Sequence, residues 1–225
     1  MQYEIIGGNL PAVICSLKAG EEIVCENGGM SWMDDVFSMK TKGGGLGKML
    51  GRAFTNESVF RNIYHANRDG DIAFASSFPG EILAIEISNG RSVVAQKSAF
   101  LACTPGVDMS VFFQKKLSTG LFGGEGFLMQ QFTGNGIVFL EIDGAFQEYE
   151  LGVGERFIFD TGHLVMMDAT CKLTVESVKG LKNKFLGGEG LFNTVVTGPG
   201  NIYLQTMPIQ KTAYILLSSV PQNKK

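Results

Sequence analysis

The sequence predicts an all-β protein built from three repeated units, and two observations lead to that prediction. The first is a glycine-rich segment, Phe122–Leu128, which returns as Leu186–Phe192 and, in a more divergent form, as Phe54–Phe60. The second is the arrangement of apolar residues in runs of about four to eight, broken by Gly, Asn, Asp or Pro, which is typical of strands joined by tight turns. With 30 glycines in 225 residues, the chain supplies many such turns.

The spacing of the repeats sets the boundaries of the three units. Glu125 and Glu189, inside the repeated segment, are 64 residues apart (189 − 125 = 64), and the turn glycines Gly90 and Gly154 have the same offset (154 − 90 = 64). Agreement between two independent pairs of positions indicates an internal repeat. Because no low-complexity linker separates the units, the sequence predicts a single compact body over residues 1–225. The repeat units are approximately 16–89, 90–153 and 154–217.

Within each unit, the sequence predicts a β-hairpin after the repeated segment. In the second unit, strands over 127–133 and 137–142 flank Gly134-Asn135-Gly136, whose residues tolerate the positive φ of tight hairpin turns. The third unit repeats the arrangement over 191–206, and the first unit has a longer loop at 65–69. We therefore expect the two strands of each pair to be hydrogen-bonded to each other.

One segment departs from the β pattern and predicts a short inserted helix over Gly43–Phe54. Apolar residues recur there at the i, i+3, i+4, i+7, i+8 spacing of an amphipathic helix. These residues are Leu46, Met49, Leu50, Ala53 and Phe54.

The same region carries a local basic patch. No acidic residue occurs from Val36 through Asn56. Four basic residues fall there, namely Lys40, Lys42, Lys48 and Arg52. With the apolar stripe of the helix, in particular Leu46, Met49 and Leu50, they form a candidate surface for a protein partner or a membrane. The alternative, which we favour, is a helix that covers one open end of the β core and holds its basic side chains in water.

Composition argues against several classes of protein. The net charge of −3, from 19 basic and 22 acidic residues, provides no overall field that would attract nucleic acid, so a nucleic-acid partner is not expected. No apolar run approaches the roughly 18 residues of a membrane-spanning helix, and the start of the chain lacks a secretory signal, which predicts a cytoplasmic protein. The four cysteines lack metal-type spacing and are predicted to be buried, reduced thiols.

Several separate motifs resemble the signature segments of the "altered inheritance of mitochondria 24" family. They are Gly123–Phe127, Asp160–Val165, Gly180–Asn183, Leu186–Phe192 and Thr197–Thr206, and the resemblance spans nearly the whole chain. It implies three tandem copies of the β module of the tryptophan RNA-binding attenuation protein (TRAP), in the double-stranded β-helix class, around a pseudo-threefold axis. It implies little about activity, because the bacterial members are largely uncharacterised and the mitochondrial member is associated with inner-membrane organisation. The resemblance supplies no catalytic residues.

The repeated glutamates Glu57, Glu125 and Glu189 are a candidate ion site. Three carboxylates brought near a threefold axis could bind a cation through their oxygens. The alternative, which we favour, is structural: each glutamate accepts hydrogen bonds from backbone N–H groups in its own glycine-rich turn. A structural role is needed once per unit, as the repetition requires, whereas an active site is needed once per chain.

Other chemical motifs fail. Gly47-Lys48 is followed by Met49 and lacks the first glycine of a phosphate-binding loop. His65 and His163 have no second histidine or cysteine at ligand spacing. The single tryptophan, Trp32, aligns with apolar residues of the other units and is predicted to lie in the core. No catalytic residue, cofactor or metal ligand is therefore assigned.

The sequence as a whole favours a non-enzymatic binding or scaffold protein that associates with partners or a membrane surface. One alternative is an RNA or small-ligand binding module, by analogy with the TRAP-like fold, and a second is an enzyme with an unrecognised site. The apolar runs Val111–Phe113 and Ile215–Leu217 predict a homo-oligomer, with a trimer as the expected state.

Overall fold

The computed structural model describes residues 1–42, 61–88, 90–115, 127–177 and 192–218, and in these residues it is nearly all β. The strands of the first third are β1 (Gln2–Ile6), β2 (Ala12–Leu17), β3 (Glu22–Glu26), β4 (Trp32–Met33), β5 (Phe37–Lys42), β6 (Arg61–Ala66), β7 (Gly70–Ala75) and β8 (Gly80–Ile87). Next come β9 (Val93–Gln96), β10 (Phe100–Cys103), β11 (Val107–Lys115), β12 (Phe127–Gly134), β13 (Gly136–Asp143) and β14 (Phe146–Leu151). The last are β15 (Arg156–Asp160), β16 (Leu164–Asp168), β17 (Lys172–Ser177), β18 (Phe192–Thr197) and β19 (Gly200–Gln205). The all-β prediction is confirmed.

The strands form four antiparallel sheets. Sheet 1 has the order β1-β2-β7-β4, and sheet 2 has the order β5-β6-β3-β10-β13-β8. Sheet 3 has the order β11-β12-β9-β16-β19-β14, and sheet 4 has the order β15-β18-β17. Short 3₁₀ turns at Lys97–Ala99 and Thr161–His163 precede β10 and β16.

The predicted hairpins are wrong, because the two strands of each pair belong to different sheets. Strand β12 pairs with β9 and β11, whereas β13 pairs with β8 and β10. In the same way β6 and β7 separate, and so do β18 and β19. At the turn glycines the chain changes direction and passes from one sheet into the next, which we call a corner. Gly134, at the corner between β12 and β13, has φ +95°, and a Cβ there would collide with the carbonyl oxygen of Gly106. A glycine-rich turn permits a corner as readily as a hairpin, so local sequence did not distinguish them.

The strand pairings follow the same scheme in successive parts of the chain. Strand β6 lies between β3 and β5, β12 between β9 and β11, and β18 between β15 and β17. Likewise β7 lies between β2 and β4, β13 between β8 and β10, and β19 between β14 and β16. Two further pairings, β3 with β10 and β9 with β16, join these groups into the six-stranded sheets.

Three buried apolar clusters fill the space between neighbouring sheets. Sheets 1 and 2 share a cluster that includes Val13, Ile23, Ile72, Phe74 and Phe139. Sheets 2 and 3 share Val93, Phe132, Val138, Leu140 and Met166, and sheets 3 and 4 share Phe127, Met129, Leu164, Val196 and Ile202. Strand β13 contributes Phe139 to one cluster and Val138 and Leu140 to another, because it is buried on both faces. The sheets are therefore stabilised by burial against one another.

The one α-helix of the described residues, α1 (Ile209–Ser218), lies where the sequence predicted no helix. Pro208 precedes it, and the carbonyl of Pro208 accepts hydrogen bonds from the N–H groups of Lys211 and Thr212. These bonds close the first turn of the helix. The predicted inserted helix, 43–54, lies outside the described residues. Among the described residues, no helix has the length and apolar character needed to cross a membrane.

The corner at Gly134 supplies a stability test. Gly134→Ala places an alanine at positive φ against a backbone carbonyl, whereas Gly20→Ala, at φ +89°, meets nothing within 4 Å. We expect Gly20→Ala to cost about 1–2 kcal/mol for the left-handed backbone alone. Gly134→Ala should cost clearly more, measured as the free energy of unfolding in urea. Equal losses in the two variants would contradict a tightly packed corner.

Candidate functional site

Most residues of the predicted sites lie outside the described part of the chain. These are the three repeated glutamates, Glu57, Glu125 and Glu189, and five residues of the basic surface, Leu46, Lys48, Met49, Leu50 and Arg52. Lys40 is described and is exposed on β5, and Lys42 ends the same strand, where its backbone pairs with Arg61. The ion-site and basic-surface hypotheses therefore stay predictions.

A polar cleft of about 220 Å³ lies where the end of β13 meets β9, β19 and the start of α1. Its lining residues are Ser77, Phe78, Gln96, Ser98, Ala99, Glu141, Asp143, Gln205 and Ile209. The two carboxylates, Glu141 and Asp143, are two residues apart on one strand, so they project from the same face of β13. This side-chain cluster was not identified from the sequence.

Both carboxylates already accept hydrogen bonds from the protein. Glu141 accepts from the backbone N–H of Ser77 at 2.6 Å and from the hydroxyls of Ser76 at 3.0 Å and Ser77 at 3.3 Å. Asp143 Oδ2 accepts from the backbone N–H of Ile209 at 3.1 Å. That bond satisfies an N–H group at the start of α1, which has no partner within the helix. Asp143 therefore attaches the helix to β13.

Burial controls the protonation of these carboxylates. Desolvation raises the pKa of Glu141, and the hydrogen bonds from Ser77 and Ser76 only partly oppose it. Desolvation also raises the pKa of Asp143, against the opposing bond from Ile209. Because burial disfavours the charged form, both groups hold a proton at a higher pH than they would in water.

Two buried amides link the remaining walls of the cleft. The Gln205 side chain donates to the carbonyl of Gly162 at 3.0 Å and accepts from the N–H of Asp143 at 3.0 Å. Gln96 donates to the same carbonyl at 3.4 Å and accepts from the Ser98 hydroxyl at 3.2 Å. The cleft is thus lined by a hydrogen-bond network that joins β9, β13 and β19. Most of its polar groups already have hydrogen-bond partners within the protein.

The thiols and imidazoles show no activated nucleophile. All four cysteines are buried and unpaired, which confirms that part of the prediction. Burial raises the pKa of Cys15, Cys25 and Cys103 to about 12 and also raises the pKa of Cys171. The ring Nδ1 of His163 lies 2.7 Å from the Gln205 carbonyl, and that of His65 lies 3.3 Å from Glu22. Within the described ranges, no three His, Cys, Asp or Glu residues are grouped to hold a metal ion.

Apolar side chains are exposed on the two edge strands of sheet 1. On β1, the exposed fractions are 43% for Tyr3, 41% for Ile5 and 37% for Ile6. On β4, they are 51% for Trp32 and 38% for Met33. The prediction that Trp32 lies in the core is wrong. Its repeat-equivalent positions lie on strands with neighbours on both edges, whereas β4 pairs only with β7 among the described residues.

In its described residues the chain is thus an antiparallel β protein. Its polar cleft is internally hydrogen-bonded, and the edge strands of sheet 1 expose apolar side chains. Comparison with known proteins gives its family. Residues 3–207 match the model "AIM24: Mitochondrial biogenesis AIM24", and the chain belongs to that family, as the sequence motifs predicted.

Two relatives come from Streptococcus pyogenes. An "Uncharacterized protein M6_Spy0233" of serotype M6 is 28% identical over 220 residues, covering 94% of this chain and 87% of its own length. The crystal structure of protein SPYM3_0169 superposes with a TM-score of 0.78 at 24% identity, covering 97% of this chain and 99% of that chain. The latter similarity shows that the two proteins share a fold.

The cleft carboxylates predict a specific pH dependence. Their pKa values lie above the ordinary 4.5 for Glu and 3.8 for Asp, so the folded state binds protons more tightly than the unfolded state. The resulting stabilisation is complete below those ordinary values and is lost as the pH rises through the folded-state pKa values. Relative to the Glu141→Gln/Asp143→Asn variant, the wild type should therefore lose unfolding free energy as the pH rises.

Urea unfolding of both proteins across this pH window measures the difference. Glu86→Gln/Glu150→Gln, at exposed positions on β8 and β14, removes the same number of negative charges and controls for the change in net charge. A wild type that gains stability over the double variant with rising pH would contradict the direction of the shifts.

The buried cysteines predict slow thiol chemistry. At pH 8, almost no thiolate forms at a thiol whose pKa is about 12, and the thiolate is the reactive species. We expect a thiol-specific chromogenic reagent to label the native protein only slowly, and to label all four cysteines rapidly in denaturant. Rapid labelling of Cys15, Cys25 or Cys103 in the native protein would contradict their burial.

Proposed function

We propose that this chain is a non-enzymatic binding or scaffold protein that works as a homo-oligomer. The observation that carries the proposal is the exposure of large apolar side chains on both edge strands of sheet 1, β1 and β4. Unpaired strand edges with apolar side chains are the surfaces that proteins normally cover or pair. A chain that keeps them exposed has a surface suited to another polypeptide.

The state of the polar groups favours binding over catalysis. The polar side chains of the cleft are hydrogen-bonded to backbone groups and to serine hydroxyls, which is a structural use of polar side chains. They are Glu141, Asp143, Gln96 and Gln205. A general base or nucleophile needs a group free to meet a substrate. The chemistry of the described residues is therefore better suited to maintaining a shape than to a reaction.

We further propose that the fold consists of three TRAP-like units of the double-stranded β-helix class, arranged about a pseudo-threefold axis. The units are 16–89, 90–153 and 154–217 of one compact body. The support is the recurring placement of β6, β12 and β18 between equivalent neighbours, and of β7, β13 and β19 between theirs. In this scheme β2 lies beside β7 as β8 lies beside β13 and β14 beside β19. Among the described residues, the third unit has no strand in that position.

We place the protein in the cytoplasm, because four buried, unpaired thiols suit a reducing compartment. A protein partner fits the β4 edge best, since Trp32 and Met33 are exposed there and aromatic and methionine side chains are enriched at protein interfaces. A membrane surface would instead use the basic residues beginning at Lys40.

Affinity capture from native cytosol, with and without membranes, tests the binding function. The wild type is compared with Trp32→Gln/Met33→Gln and with Met39→Gln, a control that changes a 52% exposed methionine on β5. We expect a partner in stoichiometric amount with the wild type and the control, and its loss with the double variant.

Light scattering of the same three proteins measures self-association, and a mass above that of one chain is expected for each. A monomeric wild type that captures nothing from either fraction would contradict the proposal. A partner retained by the double variant would exclude β4 as the binding edge.

A further inference from the structure

We propose that the polar cleft beside β13 binds a small organic cation through an ammonium group. This is the cleft of about 220 Å³ that Glu141 and Asp143 line. It is separate from the edge strands of sheet 1, so the site adds a ligand to the proposed function without depending on partner binding.

The cleft carries negative charge without a countercharge. Its lining residues include two acids and no basic side chain. Among the described residues, neither Glu141 nor Asp143 forms an ion pair, whereas the surface carboxylates of Asp69 and Glu176 both do. Because buried charges in proteins are normally paired, the cleft has the charge complementary to a cation.

The acids belong to a largely buried site rather than to a surface patch. Asp143 is 8% exposed, and the amides of Gln96 and Gln205 that line the same cleft are 4% and 5% exposed. Desolvation raises the pKa of both carboxyls, and the charge of Asp143 raises the pKa of Glu141 further. A cation between the two carboxylates would offset the cost of burying the charges and their mutual repulsion.

Asp143 has an unused acceptor in the cleft. A carboxylate has about four acceptor positions. The serine turn at 76–77 supplies three hydrogen bonds to Glu141, whereas Asp143 accepts one, from the N–H of Ile209 to Oδ2. The Oδ1 atom of Asp143 accepts no hydrogen bond from the described residues. Because the other oxygen holds the side chain in place, Oδ1 is positioned to accept from a ligand.

An ammonium group suits these acceptors better than a metal ion does. A metal such as Ca²⁺ takes about six to eight oxygen ligands, and the described ranges group no three His, Cys, Asp or Glu residues that could hold a metal. An ammonium group carries three N–H donors. The two carboxylates and the hydroxyl of Ser98, an exposed residue that lines the cleft, offer acceptors of matching number.

The other walls of the cleft limit the rest of the ligand. Phe78, Ala99 and Ile209 supply apolar surface, which suits an aliphatic chain. The cleft is smaller than the roughly 300–1,000 Å³ of pockets that hold drug-sized molecules. The class of ligand is therefore a short-chain alkylammonium.

Nuclear magnetic resonance titration of the full chain with propylammonium chloride tests the site. Near pH 7 the amine is protonated, as a lysine side chain is. We expect the side-chain amide signals of Gln96 and Gln205 to shift and to saturate at millimolar concentrations, since so small a ligand binds weakly. Propanol, which has the chain without the charge, and magnesium chloride should give no saturable shift. Equal binding of propanol, or saturable binding of magnesium without binding of propylammonium, would overturn the proposal.

Two isosteric variants test the charges of the cleft. Asp143→Asn and Glu141→Gln each remove a charge while keeping a side-chain oxygen that can accept the existing bond from the backbone N–H of Ile209 or Ser77. Each should weaken propylammonium binding by about tenfold or more, because hydrogen bonds to charged groups are the strong ones. Glu86→Gln, at an exposed position on β8, is the matched control and should bind as the wild type does.

Unchanged near-ultraviolet circular dichroism would show that a variant of the cleft folds. Wild-type affinity in both folded variants would overturn the proposal. The cleft and the partner-binding edge can fail separately, because Asp143→Asn leaves Trp32 and Met33 intact. Propylammonium binding by a chain that captures no partner would support the cleft site while removing the role of the β4 edge.

Discussion

The structure depends on the change of sheet that occurs at three glycine-containing turns. Between β6 and β7, β12 and β13, and β18 and β19, the chain leaves one sheet and enters another within a few residues. The strand that follows each turn, β7, β13 or β19, then pairs only with strands that are not its neighbours in sequence among the described residues. The apolar clusters form between the sheets for the same reason, and the sheets stabilise one another. A fold dominated by such distant pairings is expected to form slowly compared with one made of hairpins.

The sequence predicted the strands of this fold better than their partners. Runs such as 127–133 and 137–142 correspond to β12 and β13 within one residue at each end, because apolar content and turn residues are local signals. Pairing is not a local property, and Gly134-Asn135-Gly136 suits a corner between sheets as well as a hairpin. Helix α1 was not predicted, because its first turn involves the carbonyl of Pro208 and a bond from Ile209 to Asp143, which is distant in sequence.

The candidate functional residues were also hard to predict, because their surroundings depend on contacts that are distant in sequence. Equivalence within the repeat predicted Trp32 in the core. The environment of a strand, however, depends on whether both its edges are paired, and β4 pairs only with β7 among the described residues. The cleft has only a weak signal in the sequence, because Glu141 and Asp143 interrupt the end of the apolar run that forms β13. Two acids on a strand buried on both faces require partners, and the structure provides them from the Ser76-Ser77 turn and the start of α1. Those partners are distant in sequence, so they could not be named in advance.

Polar and apolar groups therefore have opposite roles in this protein. The polar network lines a cleft and maintains the junction of β9, β13, β19 and α1, while the apolar side chains of β1 and β4 are exposed. Interaction through sheet edges is the central claim of this account. Hydrogen–deuterium exchange of the β1 and β4 amides as a function of protein concentration tests it most directly. Association through these edges predicts that protection of residues 2–6 or 32–33 increases with concentration while the amides of β13 remain protected throughout. Rapid exchange of both β1 and β4 at every concentration would contradict the claim.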